Sequence, residues 1–80
     1  MKIYRRNGRG NISGEKVREA RESAGLSQEQ LAAKLQLDEL NIPQKSISRI
    51  ETGDRIITDF ELIALAKALD VTVYYLLGLQ

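Results

Sequence analysis

The chain has 80 residues and a formal net charge of +1, which suits one small domain. It contains no cysteine and no histidine, which excludes a disulfide scaffold and leaves no ligand set for a zinc finger. No apolar run approaches the roughly 18 residues of a membrane-spanning helix, and the N-terminus lacks the apolar stretch of a signal peptide. We therefore expect a cytoplasmic protein with no membrane partner.

The basic residues are unevenly distributed along the chain. Lys2, Arg5, Arg6 and Arg9 lie in a stretch that has turn formers, little periodicity and no acidic residue, whereas the rest of the chain is mildly acidic. This pattern predicts a flexible basic N-terminal arm over residues 1–12, followed by a folded domain over residues 13–80. Such an arm suits a polyanionic partner. A solvated, disordered terminus is the alternative.

Helical periodicity and capping residues predict two short helices at the start of the domain. Ser13 is placed to cap a first helix over residues 14–24, with Ile12 and Val17 forming a hydrophobic staple. The residues SQEQ at 27–30 form a capping box that opens a second helix.

Three more helices are predicted after the lone proline. Pro43 cannot lie inside a helix, so a third helix begins at Pro43 or the next residue and ends before Gly53. The capping box TDFE at 58–61 opens a fourth helix, and Thr72 caps a short fifth helix that runs through Leu77. The apolar face of the fourth helix is predicted to consist of Leu62, Ile63, Leu65, Ala66 and Leu69. The fold class is therefore all-α, with five short helices around one core.

The third predicted helix combines an apolar face with a polar face. At about 100° per residue, Ile47 and Ile50 define its inward direction. The opposite side carries donors and acceptors able to reach base edges and phosphates: Lys45, Ser48, Arg49 and Thr52, with Gln44 beside them at the N-terminal end. A short helix anchored in this way and preceded by another short helix suits insertion into a DNA major groove. A merely solvated polar face is the alternative.

Two charged side chains occupy inward-facing helical positions. Arg21 lies four residues after Val17, and Glu51 lies next to Ile50. Because an unpaired buried charge is heavily penalised, we predict an Arg21–Glu51 salt bridge that locks the third helix onto the first. Two exposed, independent charges are the alternative.

Three motifs occur in order between residues 14 and 77: GLSQEQLA, ISRIETG and ALDVTVYYLL. With these motifs the chain resembles the helix-turn-helix domain of the phage-repressor and Cro-like (XRE) family of transcriptional regulators. The resemblance implies five helices, of which the second and third form the DNA-reading unit. It also implies that Gln28 contacts a backbone phosphate and that base-reading residues lie on the third helix, at Gln44, Lys45, Ser46 and Arg49. The helix geometry adds Ser48 to this base-reading set.

Arginines outside the third helix complete the predicted DNA contacts. Related repressors extend an arm along DNA before the first helix, where this chain has Arg5, Arg6 and Arg9. We expect these residues to contact phosphates or the minor groove, with little sequence information. Arg55 is predicted as a further contact to the DNA backbone.

One segment departs from the family pattern. Turns between the two DNA-reading helices usually take about 3–4 residues, yet DELNI at residues 38–42 looks inserted. Either the second helix runs one turn longer or the connection bulges, and Leu40 and Ile42 are expected to anchor it to the core. Because of this insertion, the third helix from Gln44 onward can differ from other family members in the angle at which it approaches DNA.

The chain ends in a nearly continuous apolar segment, more than one small core can bury. We predict a dimer patch formed by Tyr74, Tyr75 and Leu79, because regulators of this kind bind two half-sites through paired domains. In the alternative, Leu76 and Leu77 pack inside while the tyrosines keep their polar ends in water.

Together these features predict a sequence-specific regulator that binds double-stranded DNA as a homodimer, most simply a repressor that occupies an operator. The alternative is a protein-interaction module on the same scaffold, such as an antitoxin or regulatory subunit. An enzyme is not expected, because no nucleophile–base set or metal cluster emerges. We expect no cofactor and no metal.

Overall fold

The computed structural model describes residues 5–79, which form five α-helices. The helices are α1 (Gly14–Ser23), α2 (Gln28–Leu37), α3 (Gln44–Thr52), α4 (Asp59–Leu69) and α5 (Val73–Leu76). Within this part of the chain the structure has no β-strand, and the all-α, five-helix prediction is confirmed. Lys2, which was counted in the predicted arm, and Gln80 lie outside the described residues.

One apolar core joins the helices, and each of them contributes to it. Ile47 and Ile50 of α3 are fully buried, as their inward direction predicted. Ile63 differs from the prediction, since its side chain is 62% exposed. It lies about 100° around α4 from Leu62, outside the stripe that faces the core. The fully or nearly buried apolar side chains are Val17, Ala20, Leu31, Leu35, Ile42, Ile47, Ile50, Leu65, Ala66, Leu69 and Leu76.

The capping boxes predicted for α2 and α4 are both present, whereas α1 begins differently. Ser13 makes no side-chain capping bond, because its backbone is already helical rather than extended. Its role is taken by Asn11, whose Oδ1 accepts a 2.7 Å hydrogen bond from the Gly14 amide. Ile12 is 66% exposed and does not form the predicted staple with Val17.

The connection between α2 and α3 bulges, and α2 is not extended by a turn. The helix ends at Leu37, and Glu39 adopts the left-handed conformation with φ 60°. The Leu40 amide then donates a 3.0 Å hydrogen bond back to the Leu35 carbonyl, which closes the helix end. Leu40 packs against the core and Ile42 is buried in it, as expected. The longer connection is therefore anchored on the protein just before α3 begins.

The described part of the predicted flexible arm, residues 5–11, makes hydrogen bonds within the domain, so its flexibility is not confirmed. Arg6 and Arg9 exchange backbone hydrogen bonds of 2.9 and 3.0 Å around a tight turn at Asn7 and Gly8. The segment continues onto the C-terminal end of α3, where the Gly10 amide donates to the Gly53 carbonyl at 2.6 Å. These partners are distant in sequence, so the local composition of the arm gave no sign of them.

Between residues 5 and 79, every helix is too short or too polar to cross a membrane.

Candidate nucleic-acid interface

The outward side of α3 presents two cationic side chains to solvent. Lys45 and Arg49 are exposed, and within residues 5–79 neither side chain makes an ion pair or hydrogen bond. Gln44, Ser46 and Ser48 are half-buried beside them. All five predicted base-reading residues therefore lie on one nine-residue helix, and the other described helices leave its two cations uncovered.

The first residues of α2 and α3 are joined through their side chains. Gln44 donates from Nε2 to Oε1 of Gln28 over 2.6 Å, and Gln28 donates from Nε2 to Oε1 of Glu51 over 3.0 Å. Gln44 keeps its own side-chain oxygen and a second N–H for other partners. The residue predicted to contact a phosphate and one predicted to read a base are thus coupled.

Arg21 and Glu51 form the ion pair that the sequence predicted. Arg21 donates from Nε to Oε2 of Glu51 at 2.7 Å and from Nη2 to Oε1 at 3.0 Å. Its third nitrogen, Nη1, donates to the Leu26 carbonyl at 2.8 Å. Glu51 is only 7% exposed. The hydrogen bonds to Glu51 raise the pKa of the Arg21 guanidinium above its usual value, although burial opposes this shift. The pair links α1 to α3, and Gln28 extends it to α2.

Two of the arginines predicted to contact DNA make hydrogen bonds to the C-terminal end of α3. Arg5 donates from Nη2 to the Asp54 carbonyl at 2.8 Å, and Arg9 donates from Nη1 to the Thr52 carbonyl at 3.2 Å. Arg6 is exposed, and its side chain makes no hydrogen bond or ion pair with any residue that the structure describes. Of the three arm arginines, Arg6 is the one whose guanidinium has no partner among residues 5–79.

Arg55 is also engaged within the domain. It donates from Nη1 and Nη2 to the two carboxylate oxygens of Glu61, both at 3.0 Å. Glu61 Oε1 also accepts a 3.0 Å hydrogen bond from the Thr58 amide in the capping box of α4. Burial would raise the pKa of Glu61, but the hydrogen bonds from Arg55 and Thr58 outweigh it and lower the pKa. Glu61 was recognised in the sequence only as a capping residue, so its second role was missed.

The predicted dimer patch is divided between solvent and the domain itself. Tyr74 and Leu79 are 65% and 70% exposed. Tyr75 is half-buried, and its hydroxyl donates to Glu19 at 3.3 Å while Lys16 Nζ lies 5.2 Å from the ring centroid. The exposed part of the patch is therefore Tyr74 and Leu79.

In the described part of the chain no group of three or more acidic side chains converges.

The helix-turn-helix family model HTH_3 matches residues 17–76, a stretch that holds α2 to α5 and most of α1. Neither the search of curated proteins nor the search of solved structures found a match. Members of the matched family are DNA-binding regulators and in general not enzymes. The chain therefore belongs to the helix-turn-helix family of XRE-type, DNA-binding transcriptional regulators.

Proposed function

We propose that the protein is a sequence-specific repressor that inserts α3 into the DNA major groove. The observation that supports this proposal most directly is the division of α3 into two sides. Ile47 and Ile50 fix one side in the core, while Lys45 and Arg49 on the other side have no partner among the described residues. A helix anchored beneath by apolar side chains and cationic on its outer side suits a groove lined by phosphates and base acceptors.

The proposed base contacts follow from the chemistry of each side chain. Lys45 and Arg49 match the N7 and O6 acceptors of guanine, and Arg49 can contact both at once. Gln44 can use its remaining N–H and oxygen toward adenine while it stays bonded to Gln28. Ser46 and Ser48 are short and half-buried, so they reach only base edges or phosphates that come close to the helix.

The proposed backbone contacts are fewer than the sequence predicted. Gln28 lies at the N-terminal end of α2, where the helix dipole and unpaired amides favour a phosphate. Arg6 is the second proposed contact, because its side chain is exposed and has no partner in the part of the chain that the structure describes. Arg5, Arg9 and Arg55 are left out of the set because carbonyls and a carboxylate of the domain already hold them.

We also propose that the repressor binds as a homodimer on two half-sites about 34 Å apart, one helical turn of DNA. The exposed Tyr74 and Leu79 support a contact between two copies. Sedimentation at high micromolar concentration should show a dimer, and the variant Leu79→Ser should shift it toward monomer. A wild-type protein that stays monomeric both free and on DNA would exclude this part of the proposal.

A protein-interaction role is the second candidate. It is favoured by further apolar side chains that the domain leaves exposed, namely Leu37, Phe60 and Ile63. The discriminating measurement is electrostatic, because binding to random duplex DNA with a steep salt dependence favours the repressor. No duplex binding at low salt would favour the interaction module.

The deciding experiment is the selection of bound sites from a random duplex pool. Enrichment of a short inverted repeat would support sequence reading and twofold symmetry together. The variant Lys45→Ala should then relax one base position, at a cost of about 1–3 kcal/mol in binding. Lys67→Ala, which removes the same charge from the exposed side of α4, is the matched control and should leave base preferences unchanged. If no sequence is enriched, the proposed base reading is wrong.

A further inference from the structure

We name residues 5–11 the N-terminal brace. Its hydrogen-bond donors converge on the C-terminal end of α3. Arg5 and Arg9 donate to the carbonyls of Asp54 and Thr52 at the end of α3. Asn11 donates from Nδ2 to two more carbonyls, those of Ile50 and Arg55, at 3.0 and 2.7 Å. With the Gly10 amide on Gly53, four donor groups of the brace reach five carbonyls between residues 50 and 55.

Two of these carbonyls, those of Ile50 and Thr52, belong to the last turn of α3, and the other three follow the helix. The last four carbonyls of an α-helix have no intrahelical amide, and the same end carries partial negative charge that favours cations. The amides of Asp54 and Arg55, which follow the helix, both turn back to a single carbonyl, that of Arg49. The brace therefore supplies the end of α3 with hydrogen bonds and two positive charges that its own backbone does not provide.

The local packing leaves room for Arg9 and for little else. A Cβ atom added at Gly53 would lie 2.6 Å from Cζ of Arg9, and one added at Gly14 would lie 2.9 Å from its Nη2. Nη2 of Arg9 is buried and makes no hydrogen bond with the residues that the structure describes. Nη2 is thus enclosed between the start of α1 and the end of α3, whereas the Arg9 side chain as a whole is 30% exposed and its Nη1 also lies 3.9 Å from Oε1 of Glu15.

We infer that Arg9 is a positioning residue for DNA reading, assisted by Arg5 and Asn11. The brace fixes the C-terminal end of α3 against α1 and thereby sets the direction in which Lys45 and Arg49 point. This inference rests on the proposed insertion of α3 into the groove. It assigns the arginines of the N-terminal segment two different tasks, because Arg9 orients the helix whereas Arg6 contacts DNA.

The two tasks have different signatures in binding. A phosphate contact contributes to every duplex, and its loss flattens the dependence of log K on log salt by about 0.9 per contact. A positioning residue affects how well α3 fits the selected DNA site. Its loss therefore reduces the preference for that site over other sequences, while the dependence of log K on log salt is unchanged. Since Arg6 and Arg9 carry the same charge within one turn, they form a matched pair.

The experiment compares Arg9→Gln, Arg9→Lys and Arg6→Gln in the 80-residue chain. The affinity of each variant is measured at salt concentrations from 50 to 200 mM. Two duplexes are used, the one recovered by site selection and a scrambled one. We expect Arg9→Gln to lose about tenfold affinity for the selected duplex, with the salt slope and scrambled binding close to wild type. Arg9→Lys keeps the charge but not the forked geometry, so it should lose discrimination as well. Arg6→Gln should weaken binding to both duplexes and flatten the dependence of log K on log salt.

Two results would overturn the inference. One is a flattened slope and equal loss on both duplexes for Arg9→Gln, which would make Arg9 a phosphate contact. The other is available without DNA, from hydrogen exchange of the Gly53, Asp54 and Arg55 amides in the free protein. Exchange there should be several-fold faster in Arg9→Gln than in Arg6→Gln, and equal rates would exclude the brace. If the wild-type protein selects no DNA site, the proposed function fails while this second measurement still decides the brace.

Discussion

The side-chain amide of Gln44 donates a hydrogen bond to the side-chain oxygen of Gln28, with an N···O distance of 2.6 Å. Gln28 in turn donates to Glu51, whose carboxylate is held by Arg21. A residue proposed to read a base is therefore connected, through a residue proposed to contact a phosphate, to the buried ion pair. The start of α3 is ordered by this network in the free protein, which lowers the ordering cost of binding.

Removing the side chain of Gln28 should affect both kinds of contact. Gln28→Ala removes the side chain proposed to contact a phosphate, and it also releases Gln44 from its hydrogen bond. We expect binding to weaken by about 1–3 kcal/mol on all duplexes, with additional loss of preference at the base position that Gln44 reads. The measurement is affinity across a panel of single-base variants of the selected site. Gln36→Ala, at an exposed position of α2, is the control, and undiminished preference at that base would disprove the coupling.

Breaking the Arg21–Glu51 pair should destabilise the fold strongly. Glu51→Gln leaves a buried guanidinium without its counter-charge, which typically costs about 3–5 kcal/mol in the free energy of unfolding. Urea unfolding monitored by circular dichroism measures this loss. The exposed pair of Arg18 and Glu22 on α1 provides the comparison, because Glu22→Gln should cost less than about 1 kcal/mol. A melting temperature unchanged by Glu51→Gln would show that the pair contributes nothing to stability.

The features predicted from sequence are those encoded by local spacing. The capping boxes at residues 27–30 and 58–61 marked the starts of α2 and α4 because each places its partners three residues apart. Helical periodicity likewise identified Ile47 and Ile50 as core residues. Placing Arg21 opposite Glu51 required the additional argument that an inward charge needs a partner.

The features that were missed depend on contacts between distant parts of the chain. Composition described residues 5–11 as a basic, turn-rich arm, and only the folded chain brings Arg5 and Arg9 to carbonyls more than forty residues away. The same contacts explain the start of α1, since Asn11 docks on the end of α3 and so caps the helix in place of Ser13. The charge of Arg55 was visible in the sequence, whereas its pairing with Glu61 was not.

The Arg55–Glu61 pair should make stability depend on pH at the acidic end. Because the pKa of Glu61 is lowered in the folded protein, its stabilisation is complete above the unfolded pKa of about 4.3. It is lost as the pH falls through the lower folded pKa. Glu61→Gln keeps an oxygen for the Thr58 amide, as Gln30 does in α2, but it loses the charged bridge. We expect the free energy of unfolding of the wild type to exceed that of this variant by about 1–3 kcal/mol at pH 7.

That difference should shrink steadily below about pH 4, because protonated Glu61 resembles glutamine. Urea unfolding at half-unit steps from pH 7 to pH 3 measures it. Glu29→Gln is the control, because Glu29 is exposed and has no ion-pair partner among the described residues. A difference between wild type and Glu61→Gln that stays constant over this range would contradict the assigned role of the carboxylate.

Relieving the backbone at Glu39 should stabilise the protein. This residue lies two positions after the end of α2 in the left-handed conformation with φ 60°, which costs a non-glycine residue roughly 1–2 kcal/mol. Glu39→Gly should therefore raise the free energy of unfolding by about 1 kcal/mol after allowing for the greater freedom of glycine when unfolded. Gly25→Ala is the reciprocal control, because Gly25 has φ 72° and an added Cβ would meet no other atom. The backbone strain alone should therefore lower the free energy of unfolding of this variant by a similar amount. Urea unfolding of both variants should show changes of opposite sign in the free energy of unfolding. A destabilised Glu39→Gly would mean that the contribution of the glutamate side chain outweighs the backbone cost.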